Sequence, residues 1–105
     1  MAYRLIIAPE YAQRFDECVD YLLNKKSNRQ AASHLIGDVE LIYKRLEDDP
    51  FQFPFSNNEL LAQRGYRKAV LSSMQYVIMF KIAEDTKSVH IEGIFHDLEN
   101  YQIKI

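Results

Sequence analysis

Two consecutive segments with helical spacing of apolar residues constrain the fold of this chain most. In the first, apolar residues recur every three or four positions from Pro9 to about Asn24, which predicts one apolar stripe on a helix. Pro9 suits the first turn of that helix because it lacks an N–H group that would go unpaired there. The stripe consists of Tyr11, Ala12, Phe15, Cys18, Val19, Leu22 and Leu23.

A second helix is predicted after a short polar connection. Ser27 and Gln30 have the spacing of a capping box, in which side chains bond the unpaired N–H groups at a helix start. Pro50 ends the helix, because a proline disfavours helical geometry in the residue before it. Two helices joined by a short connection form an antiparallel hairpin, and each stripe needs a surface to cover it. The second stripe consists of Ala32, Leu35, Ile36, Val39, Ile42, Tyr43 and Leu46.

The second half of the chain supplies strands that can cover both stripes. Residues 66–71 and 88–95 have strand composition, and the short turns between the strands predict antiparallel neighbours. Residues 75–82 alternate, which predicts a strand. The residues on its apolar side are Tyr76, Ile78, Phe80 and Ile82. Between helix and strands, residues 50–58 form a loop with three phenylalanines, which we expect to pack down on the protein.

These elements, with a short strand at residues 3–8, predict an α+β fold of order β-α-α-β-β-β. The helical hairpin packs on one face of a mostly antiparallel sheet, and the opposite face is free to meet a target. The first strand lies either at an edge or in the middle of the sheet. At 105 residues, the chain has the size of one domain, 1–105.

Composition narrows the class of protein. No stretch has the roughly 18 apolar residues of a membrane span, and the start has too short an apolar run for a signal peptide. Cys18 is the only cysteine, so no internal disulfide forms, as expected of a cytoplasmic protein. The net charge of −2 disfavours a nucleic-acid role, since phosphate contacts need cations. No phosphate-binding loop, dinucleotide fingerprint or zinc spacing occurs, so we expect no cofactor and no metal.

A cluster of cations surrounds Gly65. Because alternate strand residues point to opposite faces, Arg67 and Lys68 lie on different sides of the sheet. With Arg64 they are candidates for target binding, through phosphate or acidic side chains. The alternative is a solvated strand edge whose charges discourage aggregation.

A second candidate site follows the last strand. His96 titrates near neutral pH, and Asp97, Glu99 and Tyr101 come soon after it. With Arg67 nearby, His96 is a candidate general base or acid in RNA cleavage, where a cation stabilises the phosphate. The alternative is a surface histidine held by a neighbouring carboxylate.

The order and spacing of these segments resemble the RelE/ParE superfamily of toxins from bacterial type II toxin–antitoxin systems. The matching stretches are residues 3–7, 65–68, 76–82 and 94–101. The resemblance implies a growth-inhibiting toxin held inactive by a cognate antitoxin. RelE-like members are ribosome-dependent mRNA endonucleases, whereas ParE-like members block DNA gyrase without chemistry of their own.

Within the resemblance, individual residues divide between the two branches. Arg67 matches the arginine that starts the second strand in many members of both. His96 and Tyr101 match a histidine and a tyrosine of RelE-like nucleases. Val77 stands where those nucleases usually carry an arginine, and the chain is acidic overall. The resemblance therefore favours a ParE-like gyrase inhibitor over an mRNA endonuclease using Arg67, His96 and Tyr101, with a non-toxic protein-binding module as a further alternative.

Overall fold

The predicted elements are present in the predicted order, with one short helix added. The structure, a computed structural model, describes residues 2–71 and 76–96. The predictions for the turn at 72–74 and for the tail that holds Asp97, Glu99 and Tyr101 lie outside these residues. The elements are β1 (Arg4–Ile7), α1 (Pro9–Asp20), a π-helical turn (Tyr21–Lys25), α2 (Arg29–Asp48), a 3-10 turn (Pro50–Gln52), α3 (Glu59–Gln63), β2 (Arg67–Val70), β3 (Tyr76–Ala83) and β4 (Ser88–His96).

The sheet has the strand order β1-β4-β3-β2. Strand β3 pairs antiparallel with both β2 and β4, so the mostly antiparallel sheet of the prediction is confirmed. Strand β1 lies at an edge and pairs parallel with β4, with Arg4 opposite Ser88 and Ile7 opposite Ile91. The first and last strands of the described chain are therefore neighbours.

One face of the sheet carries the helical hairpin, as predicted. Leu22 of the π-helical turn and Leu35 and Val39 of α2 are buried in one cluster with Ile78 and Phe80 of β3. The four residues predicted to share one side of β3 belong to this cluster or pack against it. Val77 and Met79, on the other side of the strand, are buried as well. Three residues of the predicted stripes, Ala12, Leu23 and Ile36, are exposed instead.

A tyrosine pair joins the two helices inside this cluster. The hydroxyl groups of Tyr11 and Tyr43 are 2.7 Å apart and hydrogen-bonded. Phe15 stacks on the Tyr11 ring with centroids 6.1 Å apart. Burial raises the pKa of Tyr11 and, less strongly, the pKa of Tyr43. Each hydroxyl bonds the other, so the buried Tyr11 hydroxyl is not left without a partner.

The predicted capping box at the start of α2 is wrong. Ser27 has a φ of 48°, whereas an N-cap residue takes an extended conformation. Asn28 is the cap instead, and its side chain accepts a hydrogen bond from the Ala31 N–H at 3.0 Å. The other end of α2 is confirmed, since the helix stops at Asp48 before Pro50.

The opposite face of the sheet is covered in part, so the expectation that it is free holds only for the part that α3 leaves open. Helix α3 brings Leu61 over this face, where a second buried cluster forms from Leu61, Tyr66, Val77, Met79 and Phe95. Gly65, with a φ of +92°, turns the chain from α3 into β2. A helix of five residues is too short to show a periodic stripe in the sequence, which is why it was not predicted.

Candidate functional site

Arg67 begins β2 at the edge of the sheet, on the side of the helical hairpin. It pairs with Phe80, whose side chain lies in the hairpin-side cluster. Its Nη1 donates a hydrogen bond to the carbonyl oxygen of Phe53 at 2.7 Å. The guanidinium lies 4.0 Å from the centre of the Phe55 ring and 5.3 Å from that of Phe51. We call Arg67, Phe51 and Phe55 the arginine–phenylalanine cluster.

The loop that precedes β2 builds this cluster. Phe53 is buried against Phe80, with ring centroids 5.8 Å apart, which confirms that the loop packs down. Phe51 and Phe55 remain 41% and 49% exposed. The other N–H groups of Arg67 have no acceptor among the described residues. The cluster therefore offers a partner two ring surfaces and a fixed cation with donors to spare.

The remaining predicted cations lie elsewhere. Lys68 pairs with Met79, which belongs to the second buried cluster, so Arg67 and Lys68 lie on opposite faces as predicted. Arg64 is exposed just after α3. Arg64, Arg67 and Lys68 consequently do not converge on one point, and Arg67 contacts the phenylalanines of the loop instead.

On the face of Lys68, a polar arrangement surrounds Tyr66. The Tyr66 hydroxyl donates to Glu92 Oε1 at 3.2 Å, and Lys81 Nζ lies 4.6 Å from the centre of the Tyr66 ring. Burial and the Glu92 charge raise the pKa of Tyr66, against the opposing effect of Arg64. The lysine and the carboxylate thus fix the ring between opposite charges. Sequence reasoning missed this group, because its members come from two strands and the turn that precedes β2.

His96 ends β4 on the same face of the sheet as Arg67, since its partner Tyr76 packs against the hairpin-side cluster. It lies opposite Tyr76, with the two rings edge to face and their centroids 5.5 Å apart. Arg67 lies opposite Phe80, four positions further along β3, which is about 13 Å along the strand. The structure does not bring Arg67 and His96 together. Tyr101, the third residue of the predicted nuclease site, lies outside the described residues.

A cleft of about 650 Å³ separates α1 from the end of β4. Arg14 crosses it: its Nε donates to the carbonyl oxygen of Ile94 at 2.6 Å, and its guanidinium lies 4.5 Å from the centre of the Phe95 ring. Glu10, Glu17 and Glu92 are among the residues that line it. No group of histidine, cysteine, aspartate and glutamate within 2–71 and 76–96 is arranged to hold a metal ion. Among the same residues, no helix is long and apolar enough to cross a membrane.

Comparison with solved structures places this geometry in a known fold. The chain is similar to a chain of the chromosomal ParDE toxin–antitoxin system from P. aeruginosa, with a TM-score of 0.68 and 19% identity over 90% of this chain and 96% of that chain. It is also similar to a chain of the RelBE2 toxin–antitoxin complex from Mycobacterium tuberculosis, with a TM-score of 0.61 and 16% identity over 91% and 99%. The chain has the RelE/ParE fold.

The RelE/ParE fold implied by the sequence resemblance is thus confirmed. No family model matches the chain, and no curated protein matches it in sequence. One of these structures is named ParDE and the other RelBE2, so the shared fold does not choose between the two branches that the sequence resemblance left open. That choice depends on how the side chains of the site are arranged.

Proposed function

We propose that this chain is the toxin of a type II toxin–antitoxin pair, which inhibits growth by binding a protein target and is neutralised by a cognate antitoxin. The RelE/ParE fold supports the toxin role, because chains of the ParDE and RelBE2 toxin–antitoxin systems share it. The favoured target is DNA gyrase in the cytoplasm, as in ParE-like members of the superfamily. The proposed activity is binding and requires no cofactor.

The observation that carries the choice of target is the separation of Arg67 from His96. Cleavage of RNA needs a base and a cation within hydrogen-bond reach of the same reacting group. Here Arg67 is opposite Phe80 and His96 is opposite Tyr76, which puts about 13 Å of strand between them. This separation of the two backbone positions disfavours a shared contact with one phosphate, so we favour binding over catalysis.

The arginine–phenylalanine cluster is the proposed contact with the target. Aromatic and arginine side chains dominate the binding energy of protein interfaces, because they bury large rigid areas and make several directed contacts. Phe51 and Phe55 are partly exposed and Arg67 is fixed between them. The net charge of −2 is no obstacle to a protein target, whereas a protein that docks on RNA gains affinity from a positive surface.

Expression of the chain without an antitoxin, with separate readouts of supercoiling and translation, tests the proposal. We expect growth arrest, inhibition of supercoiling by purified gyrase, and intact mRNA. Arg67→Ala and Phe55→Ala should each weaken inhibition at least tenfold. Lys68→Ala, one residue away on the other face, is the matched control and should retain inhibition. Circular dichroism of each variant establishes that the fold is kept. Normal supercoiling at a large excess of folded chain excludes gyrase as the target.

Two alternatives predict different outcomes of the same experiment. If the chain is a ribosome-dependent mRNA endonuclease, translation stops, mRNA is cut, and His96→Ala abolishes both effects. If it is a non-toxic protein-binding module, induction of folded chain leaves growth unchanged. His96→Ala is expected to retain growth inhibition under the proposal, because the ring has no part in target binding.

A further inference from the structure

Two apolar side chains that the sequence predicts to be buried are exposed beside each other. Leu23 and Ile36 are 40% and 39% exposed. Both line a shallow groove of about 630 Å³ between the π-helical turn and the first half of α2. Single exposed apolar residues are ordinary. Two stripe residues meeting at one groove indicate a surface that the described part of the chain leaves uncovered.

The α2 residues that line the groove have the symmetric spacing of any helical face with steps of three and four residues. These residues form three pairs, and the two members of each pair are the same number of positions before and after the midpoint between His34 and Leu35. The pairs are Arg29 with Glu40, Ala32 with Gly37, and Ser33 with Ile36. If a second copy of α2 crosses antiparallel at this midpoint, each residue lies opposite its counterpart, which is the condition for a two-fold symmetric interface.

The charges at the two ends of the groove match such a crossing. Arg29 occupies the first turn of α2, which contains no acidic residue, and a cation there is unfavourable against the helix dipole. Arg29 and Glu40 are about 16 Å apart along the helix, too far to pair within one chain. Neither has an ion-pair partner among the described residues. In the antiparallel crossing, each Arg29 meets Glu40 of the second copy.

Gly37 leaves room for a close approach. A Cβ atom built at this position meets no atom within 4 Å, so packing inside the described chain does not require glycine. Glycine in the middle of a helix costs about 1 kcal/mol relative to alanine. Its missing side chain lowers the surface of α2 at the groove, which allows a second helix to lie at the 8–10 Å spacing of packed helices.

We propose that this groove is a homodimer interface, in which the α2 helices of two copies cross antiparallel and two Arg29–Glu40 ion pairs flank a centre where each Ile36 packs beside Ser33 of the other copy. The proposal does not depend on the toxin function or on the arginine–phenylalanine cluster. Sedimentation velocity of the full chain over a wide concentration range should show a monomer–dimer equilibrium. A monomer at every concentration overturns it.

Charge exchange tests the register. Arg29→Glu places a carboxylate opposite Glu40, and Glu40→Arg places a cation opposite Arg29, so each single variant should weaken the dimer at least tenfold. The double variant restores opposite charges and should recover most of the affinity. Single variants without effect, or a double variant as weak as the singles, overturn the antiparallel pairing of Arg29 with Glu40.

A matched pair of glutamate variants tests the location. Ile36→Glu puts a charge at the centre of the groove and should leave only monomer. Leu41→Glu puts the same charge on α2 outside the groove, at a side chain that is 59% exposed, and should leave the dimer intact. Both residues are exposed, so neither change threatens the fold, and thermal melts verify this. If Leu41→Glu dissociates the dimer as strongly as Ile36→Glu, the interface is elsewhere.

Discussion

The two faces of β3 give an instructive comparison. Ile78 and Phe80 point into the cluster under the helical hairpin, and Val77 and Met79 point into the cluster under α3. All four are buried. The first cluster is covered mainly by helices of 12 and 20 residues, the second by a helix of five. One strand thus belongs to a large core and to a small one.

The difference in size suggests different roles: the cluster under the hairpin stabilises the whole fold, and the cluster under α3 shapes one part of the surface. The large core contains residues of both long helices and of all four strands. Destabilising it should therefore destabilise the whole domain. The small core holds down α3 and Tyr66, next to Arg64 and Lys81. Changes there should alter the local surface while the rest of the fold persists. Three predictions test this division, beginning with the largest effect.

Phe80→Ala should destabilise the chain by about 3–5 kcal/mol, the usual cost of truncating a buried phenylalanine in a core that cannot collapse. The ring is fully buried and contacts Phe53 edge to face. Since small domains are stable by only about 5–15 kcal/mol, urea denaturation should show a much lower midpoint. A loss below about 1 kcal/mol would contradict the assignment of the main core to this face.

Leu61→Ala should cost about 2 kcal/mol, near the lower end of the range for buried leucines, because a five-residue helix can settle into the cavity. Hydrogen exchange should lose protection in α3 and the adjoining turn and keep it in α2. Equal loss of protection in α2 would show that the two cores are one cooperative unit.

Alkaline unfolding compares a tyrosine from each core. Folding raises the pKa of Tyr11 and, to a smaller degree, of Tyr66, so the native chain keeps these protons where the unfolded chain has released them. The resulting stability is complete below pH of about 10, the ordinary pKa of tyrosine. It is lost as the pH rises from there through the folded-state pKa. Tyr11→Phe should therefore flatten the alkaline fall in unfolding free energy more than Tyr66→Phe.

The two substitutions also have expected costs at neutral pH. Each removes one hydrogen bond, from Tyr11 to Tyr43 or from Tyr66 to Glu92, and should cost about 1 kcal/mol. Chemical denaturation at a series of pH values gives both quantities. A steeper alkaline fall in Tyr11→Phe than in the parent chain would contradict the sign of the linkage.

The large core could be predicted from the sequence because its signals are periodic. The alternation of β3 and the helical stripes indicate which residues face the hairpin-side core. The opposite directions of Arg67 and Lys68 follow from strand geometry. The small core could not, because α3 is too short for a period and only long-range contacts decide which face it covers. Leu23 and Ile36 fit the helical period, yet they fall at the margin of the stripe where no partner reaches them.

The candidate site was less predictable than the fold. Arg67 was identified from its position, and the phenylalanine-rich loop was expected to pack, but nothing in the sequence states which rings meet the guanidinium. The distance between Arg67 and His96 depends on strand register, which includes an irregularity between Met79 and Phe80. Arg14 gave no signal, because its acceptor, the Ile94 carbonyl, is 80 positions away.

The pairing of β1 with β4 has a consequence for synthesis. Arg4 cannot meet Ser88 until more than 80 further residues have been translated, which takes roughly 4 to 16 s at ordinary ribosomal speeds. During that interval the emerging hairpin exposes apolar stripes that the unfinished sheet cannot yet shield. A nascent chain is therefore open to capture, by a chaperone or a dedicated inhibitor, well before it can acquire its final shape.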